Sequence, residues 1–163
     1  MPERFHVRVS KDYLVFCSGH FISYEGDKCE RLHGHNYRTA VEIEHDLDRN
    51  YYVFDFIALK QRTKAITDDL DHRMMLPTRN THISVAEGPR SVQVRYRDRE
   101  WLFPREDCVL LPVENTTVEL LARYIGQRLL ADLRQQHQFV PQVLRIEVEE
   151  SFGQSATYEC RKE

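Results

Sequence analysis

The feature that most constrains this chain is His33-Gly34-His35, two imidazoles separated by a single residue. In an extended backbone the side chains alternate between faces, so residues two apart project to the same side and both rings can approach one ion. The flanking sequence favours an extended backbone. From Tyr37 to His45, Thr39, Val41 and Ile43 lie opposite Arg38, Glu42 and Glu44, the pattern of a half-buried antiparallel strand. Upstream, Leu14, Phe16, Ser18 and His20 share one face if residues 7–21 are extended too, and His20 then ends that strand. If the two strands pair as a hairpin, His20 faces His33 and His35. Three neutral nitrogen ligands with an open fourth position are the layout of a catalytic zinc site rather than a structural one. The chain has eight histidines, enough for such a pair to arise by chance, so the spacing alone carries little. Its weight comes from Gly34, the strand-ending His20 and the nearby Cys29 being explained together.

Other chemistry-bearing residues have a bland and a functional reading side by side. Cys29 sits four residues before His33 in the loop 23–32 with Gly26. Beside a cation its thiolate would be favoured and it becomes a base; without one it is an inert loop thiol. Asp71-His72 follows the first helix, where the pair is either a proton relay or a histidine placed against a helix C-terminus. Glu150 falls on the apolar face of Leu144, Ile146 and Val148, with Arg145, Glu147 and Glu149 on the outer face. An inward carboxylate needs a partner, such as the guanidine-like edge of a bound heterocycle, unless it reaches solvent at the sheet end. Thr116-x-x-Glu119 is a capping-box spacing, so Thr117 and Glu119 read first as residues of a helix N-terminus, whose amides also suit a ligand. Cys17, on the face opposite His20, reads as a packing residue; Cys108 and Cys160 carry no defined chemistry.

The remaining pattern gives an α+β chain in the order β–β–α–α–β–β. Asp55 is positioned to cap a helix from Phe56 to Leu70, and a second helix runs from the Thr116 signal to about Gln136. Strands follow over Val143 to Glu150 and Ala156 to Arg161. Residues 78–112 interrupt the scheme with an alternating stretch at Val92, Val94 and Tyr96, read as an inserted hairpin. A length of 163 residues suits one domain. The net charge of −3 and the absence of a basic block argue against nucleic acid as a partner. No run reaches membrane-spanning length and Met1 to Ser10 does not read as a secretory signal, so the cytoplasm is the expected compartment. The four cysteines form no CxxC pair, which leaves them as expected reduced thiols.

Taken together, Cys29-Glu30-Arg31-Leu32-His33-Gly34-His35-Asn36-Tyr37 resembles the core motif of the 6-pyruvoyltetrahydropterin synthase and 6-carboxytetrahydropterin synthase family. Further landmarks follow in order: Phe16 to His20, Val53 to Phe56 with Leu59-Lys60, Leu70-Asp71-His72, Asn115 to Ala122, and Val148 to Glu150 followed by Tyr158. The resemblance covers nearly all of the chain outside residues 78–111. It implies the tunnelling fold, a four-stranded antiparallel sheet with two helices on one face, assembled as a homo-oligomer, usually a hexamer of two trimers, with active sites between subunits. It also implies zinc held by His20, His33 and His35, Cys29 as general base, Asp71 and His72 in proton transfer, and Glu150 with Thr117 anchoring the pterin of 7,8-dihydroneopterin triphosphate. The spacing Cys29-x-x-x-His33 is similar to the 6-carboxy branch, which feeds queuosine synthesis; the 6-pyruvoyl branch and a zinc- or pterin-binding homologue without turnover are the alternatives. Glu30 matches a third variant that uses a loop glutamate and cleaves dihydroneopterin toward folate. Three features depart from the family pattern: the insertion, Phe21 in place of a basic residue, and Val118 in place of a small hydroxyl residue.

Overall fold

A computed structural model describes residues 3–163, apart from the side chain of Lys11; Met1 and Pro2, part of the N-terminal segment considered above, lie outside the described residues. Strand β1 (Phe5–His20) pairs antiparallel with β4 (His33–His45), with His20 opposite His33 and Gly19 opposite Gly34. The alternation read from the sequence is realised, since Leu14, Phe16, Ser18 and His20 are all buried. Between the two strands, β2 (Ser23–Tyr24) and β3 (Lys28–Cys29) form a two-stranded loop hairpin. Its turn needs Gly26 at φ +82°, a conformation that other residues adopt at a cost.

Helix α1 (Phe56–Asp68) starts where expected, with the Asp55 carboxylate accepting the Ala58 amide at 2.7 Å. Strand β5 (Arg73–Pro77) follows, then β6 (Ser84–Glu87), β7 (Ser91–Tyr96), β8 (Arg99–Pro104) and β9 (Cys108–Leu111). Helix α2 (Val118–His137) leads to β10 (Val143–Ser151) and β11 (Gln154–Arg161). The main sheet runs β11-β10-β4-β1-β5-β9, with β5 and β9 joining in parallel. Its four long strands are the antiparallel sheet expected; the two short parallel strands widen it at the β1 edge. Residues 78–111 hold more than the hairpin expected. Strands β6, β7 and β8 form a separate three-stranded antiparallel sheet, and β5 and β9 tie its two ends to the main sheet.

Both helices pack over one face of the main sheet. Leu59, Ile66, Leu121, Ile125, Leu129 and Leu133 meet Leu14, Phe16, Val41, Ile43, Leu144 and Ile146 in one buried cluster. Gly126 sets the distance of α2, because a Cβ there would lie 2.8 Å from the Tyr158 ring. A second cluster under this smaller sheet joins Phe21, Met74 and Leu76 to Ile83, Val92, Val94, Tyr96 and Cys108, so the sheet has an apolar anchor that begins one residue after His20. Among the described residues no helix is long and apolar enough to cross a membrane.

Candidate functional site

The hairpin of β1 and β4 brings His20, His33 and His35 together as the sequence predicts. Their ring centroids are 4.8 to 5.2 Å apart, and one ligand atom from each, with a carboxylate oxygen of Glu150, lies within 4.8 Å of the others. Gly34 permits this approach. A Cβ there would stand 3.0 Å from the carbonyl oxygen of Ser18 on the facing strand, closer than side chains tolerate without a shift.

The imidazoles are oriented from behind. His20 Nδ1 lies 3.0 Å from the carbonyl of Thr116, and His33 Nδ1 lies 2.8 Å from the carbonyl of Arg31. A carbonyl only accepts, so in both rings Nδ1 carries the proton and Nε2 presents a bare lone pair. This is the outer arrangement that fixes a metal-ligating histidine. Among the described residues, Nε2 of His20 and of His35 are buried without a hydrogen-bond partner, although Glu150 Oε1 stands 3.2 and 3.0 Å away. Orphaned buried acceptors are costly, and a cation satisfies them all at once. Burial, reinforced by the neighbouring His33 and His35 and only partly offset by the Thr116 bond, lowers the His20 pKa to about 4, so its ring is neutral and ligand-ready at neutral pH. The donor set of three imidazoles and a carboxylate suits zinc among the common divalent ions.

Glu150 enters the cluster on the inward face of β10 that it shares with Ile146 and Val148, and the register of β10 against β11 shifts beside it, between Glu149 and Ser151. Simple alternation predicted the inward Glu150 correctly; Glu149 keeps its regular strand partners Arg38 and Ser155 on the outer face and is nonetheless buried there. Below the histidines, Tyr37 stacks on Phe16 at 4.8 Å and its buried hydroxyl has no partner among the described residues. Burial, then the carboxylates of Glu150 and Glu30, hold this phenol firmly protonated.

Cys29 is half-buried at the end of β3, and its thiol donates to the Glu30 carbonyl at 3.5 Å. Burial raises its pKa above the ordinary thiol value, against the lowering influence of Arg99. The Glu30 carboxylate of this loop reaches toward the cluster: its Oε2 is 3.9 Å from His33 Nε2 and accepts the Ile22 amide at 3.3 Å.

Asp71 and His72 form the expected pair, with His72 Nδ1 2.8 Å from Asp71 Oδ2. The dyad is fastened to β1, since Asp71 Oδ1 accepts the Cys17 amide and the His72 amide donates to the Cys17 carbonyl, each at 2.7 Å. Cys17 is therefore an exposed docking point for the dyad and not the packing residue predicted. The His72 side chain is 83% exposed and lines an open cavity with His33, Gly34, Leu32 and Met74 that does not include Cys29.

The capping box does not form. Thr117 is the N-cap residue by backbone geometry but makes no side-chain cap bond, and Glu119 is solvent-exposed. Thr116 has turned the other way: its hydroxyl donates to the Phe21 carbonyl at 3.3 Å while its own carbonyl accepts from His20. The recruitment of Thr116 to the histidine site has no local sequence signal, because its partners lie 95 and 96 residues away. Asn115 adds a second tie, its side chain meeting the amide and carbonyl of Ser23 at 3.4 and 2.8 Å.

Comparison with known proteins agrees with this geometry. The sequence profile described as 6-pyruvoyl tetrahydropterin synthase matches residues 8–161. A Haemophilus influenzae protein named 6-carboxy-5,6,7,8-tetrahydropterin synthase is 35% identical over 130 residues, 77% of this chain and 83% of that protein. A Methanocaldococcus jannaschii protein provisionally given the same name is 30% identical over 146 residues, 89% of both chains. The solved structure of a Plasmodium vivax 6-pyruvoyltetrahydropterin synthase, in which a catalytic glutamate is replaced by alanine, superposes with a TM-score of 0.90 at 27% identity, covering 99% of this chain and all of that one. A match running from the first long strand to the last, around a histidine cluster built by the same strands, means that the chain belongs to the 6-pyruvoyl tetrahydropterin synthase family.

Proposed function

We propose that this protein converts 7,8-dihydroneopterin triphosphate and water to 6-carboxy-5,6,7,8-tetrahydropterin, acetaldehyde and triphosphate, with zinc as cofactor. The observation that carries the reading is the convergence of three imidazoles, with Nε2 of His20 and of His35 buried and unpartnered among the described residues, beside a loop holding Cys29. The names of the Haemophilus and Methanocaldococcus relatives favour the 6-carboxy branch. The whole chain acts as one domain, with residues 78–111 as its insertion.

His20, His33 and His35 would hold the zinc, which would supply Lewis-acid polarisation of the substrate's side-chain oxygens and so make the adjacent C–H more acidic. Glu150 accepts from the guanidine-like edge of the pterin, assisted by Thr117 and by Glu119 at the α2 N-terminus. Cys29 removes the proton from the substrate side chain once a nearby cation has favoured its thiolate. Asp71 holds His72 in the orientation that passes protons onward, and the exposure of this dyad suits a homo-oligomer in which it serves the site of an adjacent copy. A hexamer of two trimers in the cytoplasm is the assembly we expect.

A second reading rests on Glu30, whose carboxylate is 3.9 Å from His33 Nε2, and on the catalytic glutamate of the Plasmodium vivax relative. With Glu30 as base the enzyme cleaves the dihydroneopterin side chain toward folate. Product analysis of wild type, Cys29→Ala and Glu30→Gln separates these outcomes from 6-pyruvoyl formation and from binding without turnover. Loss of the 6-carboxy product in Cys29→Ala supports the first reading, and loss of a cleavage product only in Glu30→Gln supports the second.

A further inference from the structure

The inserted sheet grips the loop that carries Cys29 and Glu30, and it does so through one end of the β7–β8 hairpin. Tyr96 and Arg99 face each other across the turn at Arg97 and Asp98, where Arg97 has φ +54°. The Tyr96 hydroxyl donates to the Asp27 carbonyl, and Arg97 pairs with the Asp27 carboxylate. Arg99 reaches further: Nη1 donates to the Cys29 carbonyl at 3.1 Å and Nη2 to the Glu30 carbonyl at 2.8 Å. Successive carbonyls of an extended strand point to opposite sides, so two that converge on one guanidinium define a bend, here at the point where β3 ends. The fork of the guanidinium matches that bend, as a single ammonium does not.

The guanidinium is itself held. It lies 4.7 Å from the centre of the Trp101 ring, and Trp101 stacks on Phe21 with centroids 4.5 Å apart and an interplanar angle of 23°. Phe21 is buried and follows His20 directly, so an unbroken series of contacts runs from the histidine cluster through Phe21 and Trp101 to Arg99 and back to the loop. Phe21, the departure from the family pattern noted above, is thereby explained as the seat of Trp101.

We propose that Arg99 is a positioning residue: by bridging the carbonyls of Cys29 and Glu30 it fixes where the thiol and carboxylate of this loop stand relative to His33, and the inserted sheet presents it. The role rests on the reading that this loop supplies the base. Displacements of about 1 Å at a reacting group cost up to about a hundredfold in rate, so loss of the bridge acts on turnover more than on substrate capture.

The test compares wild type, Arg99→Lys, Arg99→Ala and Gln93→Ala, a control in the inserted sheet away from the loop. Steady-state kinetics with 7,8-dihydroneopterin triphosphate should give a kcat reduced about tenfold or more in Arg99→Ala, KM changed less than about threefold, and partial rescue in Arg99→Lys. Independently of activity, the rate of Cys29 alkylation by iodoacetamide per thiolate, taken from the pH profile of the rate because loss of Arg99 also lowers the thiolate fraction, and mapped by peptide mass spectrometry, should rise about tenfold in Arg99→Ala while that of Cys17 and the metal content stay as in wild type. Unchanged Cys29 alkylation in Arg99→Ala overturns the proposal, as does full activity of that variant or a parallel rise at Cys17, which marks general loosening. Should Arg99→Ala fail to fold, Arg99→Lys decides by the same two readouts. A wild type inert toward this substrate counts against the function proposed above, and the alkylation rates then decide the role of Arg99 alone.

Discussion

The carbonyl of Thr116 accepts a hydrogen bond from Nδ1 of His20 at 3.0 Å, and this contact links the start of α2 to the histidine cluster. It leaves Nε2 of His20 buried, unprotonated and aimed at the same space as His33 and His35. A ring held in this way is useful only if something positive completes it.

Metal should therefore bind to about one equivalent per chain, and His20→Ala or His35→Ala should abolish it. At about a hundredfold excess over Kd, a ligand confined to the native state adds about 2.7 kcal/mol. For a chain of this size that raises the Tm by roughly 5–10 °C, an increment that chelation with EDTA should remove in wild type and that both variants should lack. Metal analysis and calorimetry with and without chelator read both effects.

Gly34→Ala should separate β1 from β4, because its Cβ meets the Ser18 carbonyl at 3.0 Å. The expected cost is about 1–3 kcal/mol of stability, together with weaker metal binding from the displaced flanking histidines. Urea unfolding and metal titration of the variant give the two numbers.

Glu150→Gln separates the carboxylate's two possible employers. As a pterin anchor it should lower kcat/KM about a hundredfold with metal retained, since the three histidines already form a complete catalytic ligand set. Metal content measured beside the kinetics decides; loss of the ion would make Glu150 a ligand.

Asp71 gives a pH-dependent contribution to stability. Burial works to raise its pKa, but the amide of Cys17 and the imidazole of His72 outweigh it and hold the carboxyl below the ordinary aspartate value. A folded pKa below the unfolded one means stability that is present above about pH 4 and lost as the pH falls through the folded value. Asp71→Asn should accordingly be less stable than wild type by about 0.5–1 kcal/mol at pH 7, and the gap should close toward pH 2. Urea midpoints at several pH values follow the difference.

What could be read from the sequence follows from the range of the interactions involved. Alternation along β1, β4 and β10 is local, so the inward faces of His20, His33, His35 and Glu150 were legible. Asp55 capped its helix as its position suggested, because a cap reaches only three residues. Thr116 looked like the same kind of signal and failed, since the distant Phe21 and His20 compete for its polar groups. The parallel pairing of β5 with β1 and β9, and the grip of Arg99 on residues 70 and 69 positions away, depend on chain reversals that no short pattern encodes. The burial of Glu149 escaped for a similar reason: alternation assigns a face, whereas burial on that face depends on distant neighbours such as its strand partner Arg38.

The measurement that tests the central claim most directly is mass-spectrometric product analysis of the zinc-loaded protein with 7,8-dihydroneopterin triphosphate, run beside Cys29→Ala. The account predicts 6-carboxytetrahydropterin with acetaldehyde from wild type, and loss of both in the variant with its zinc retained. Formation of 6-pyruvoyltetrahydropterin, or a 6-carboxy product undiminished in Cys29→Ala, would contradict it.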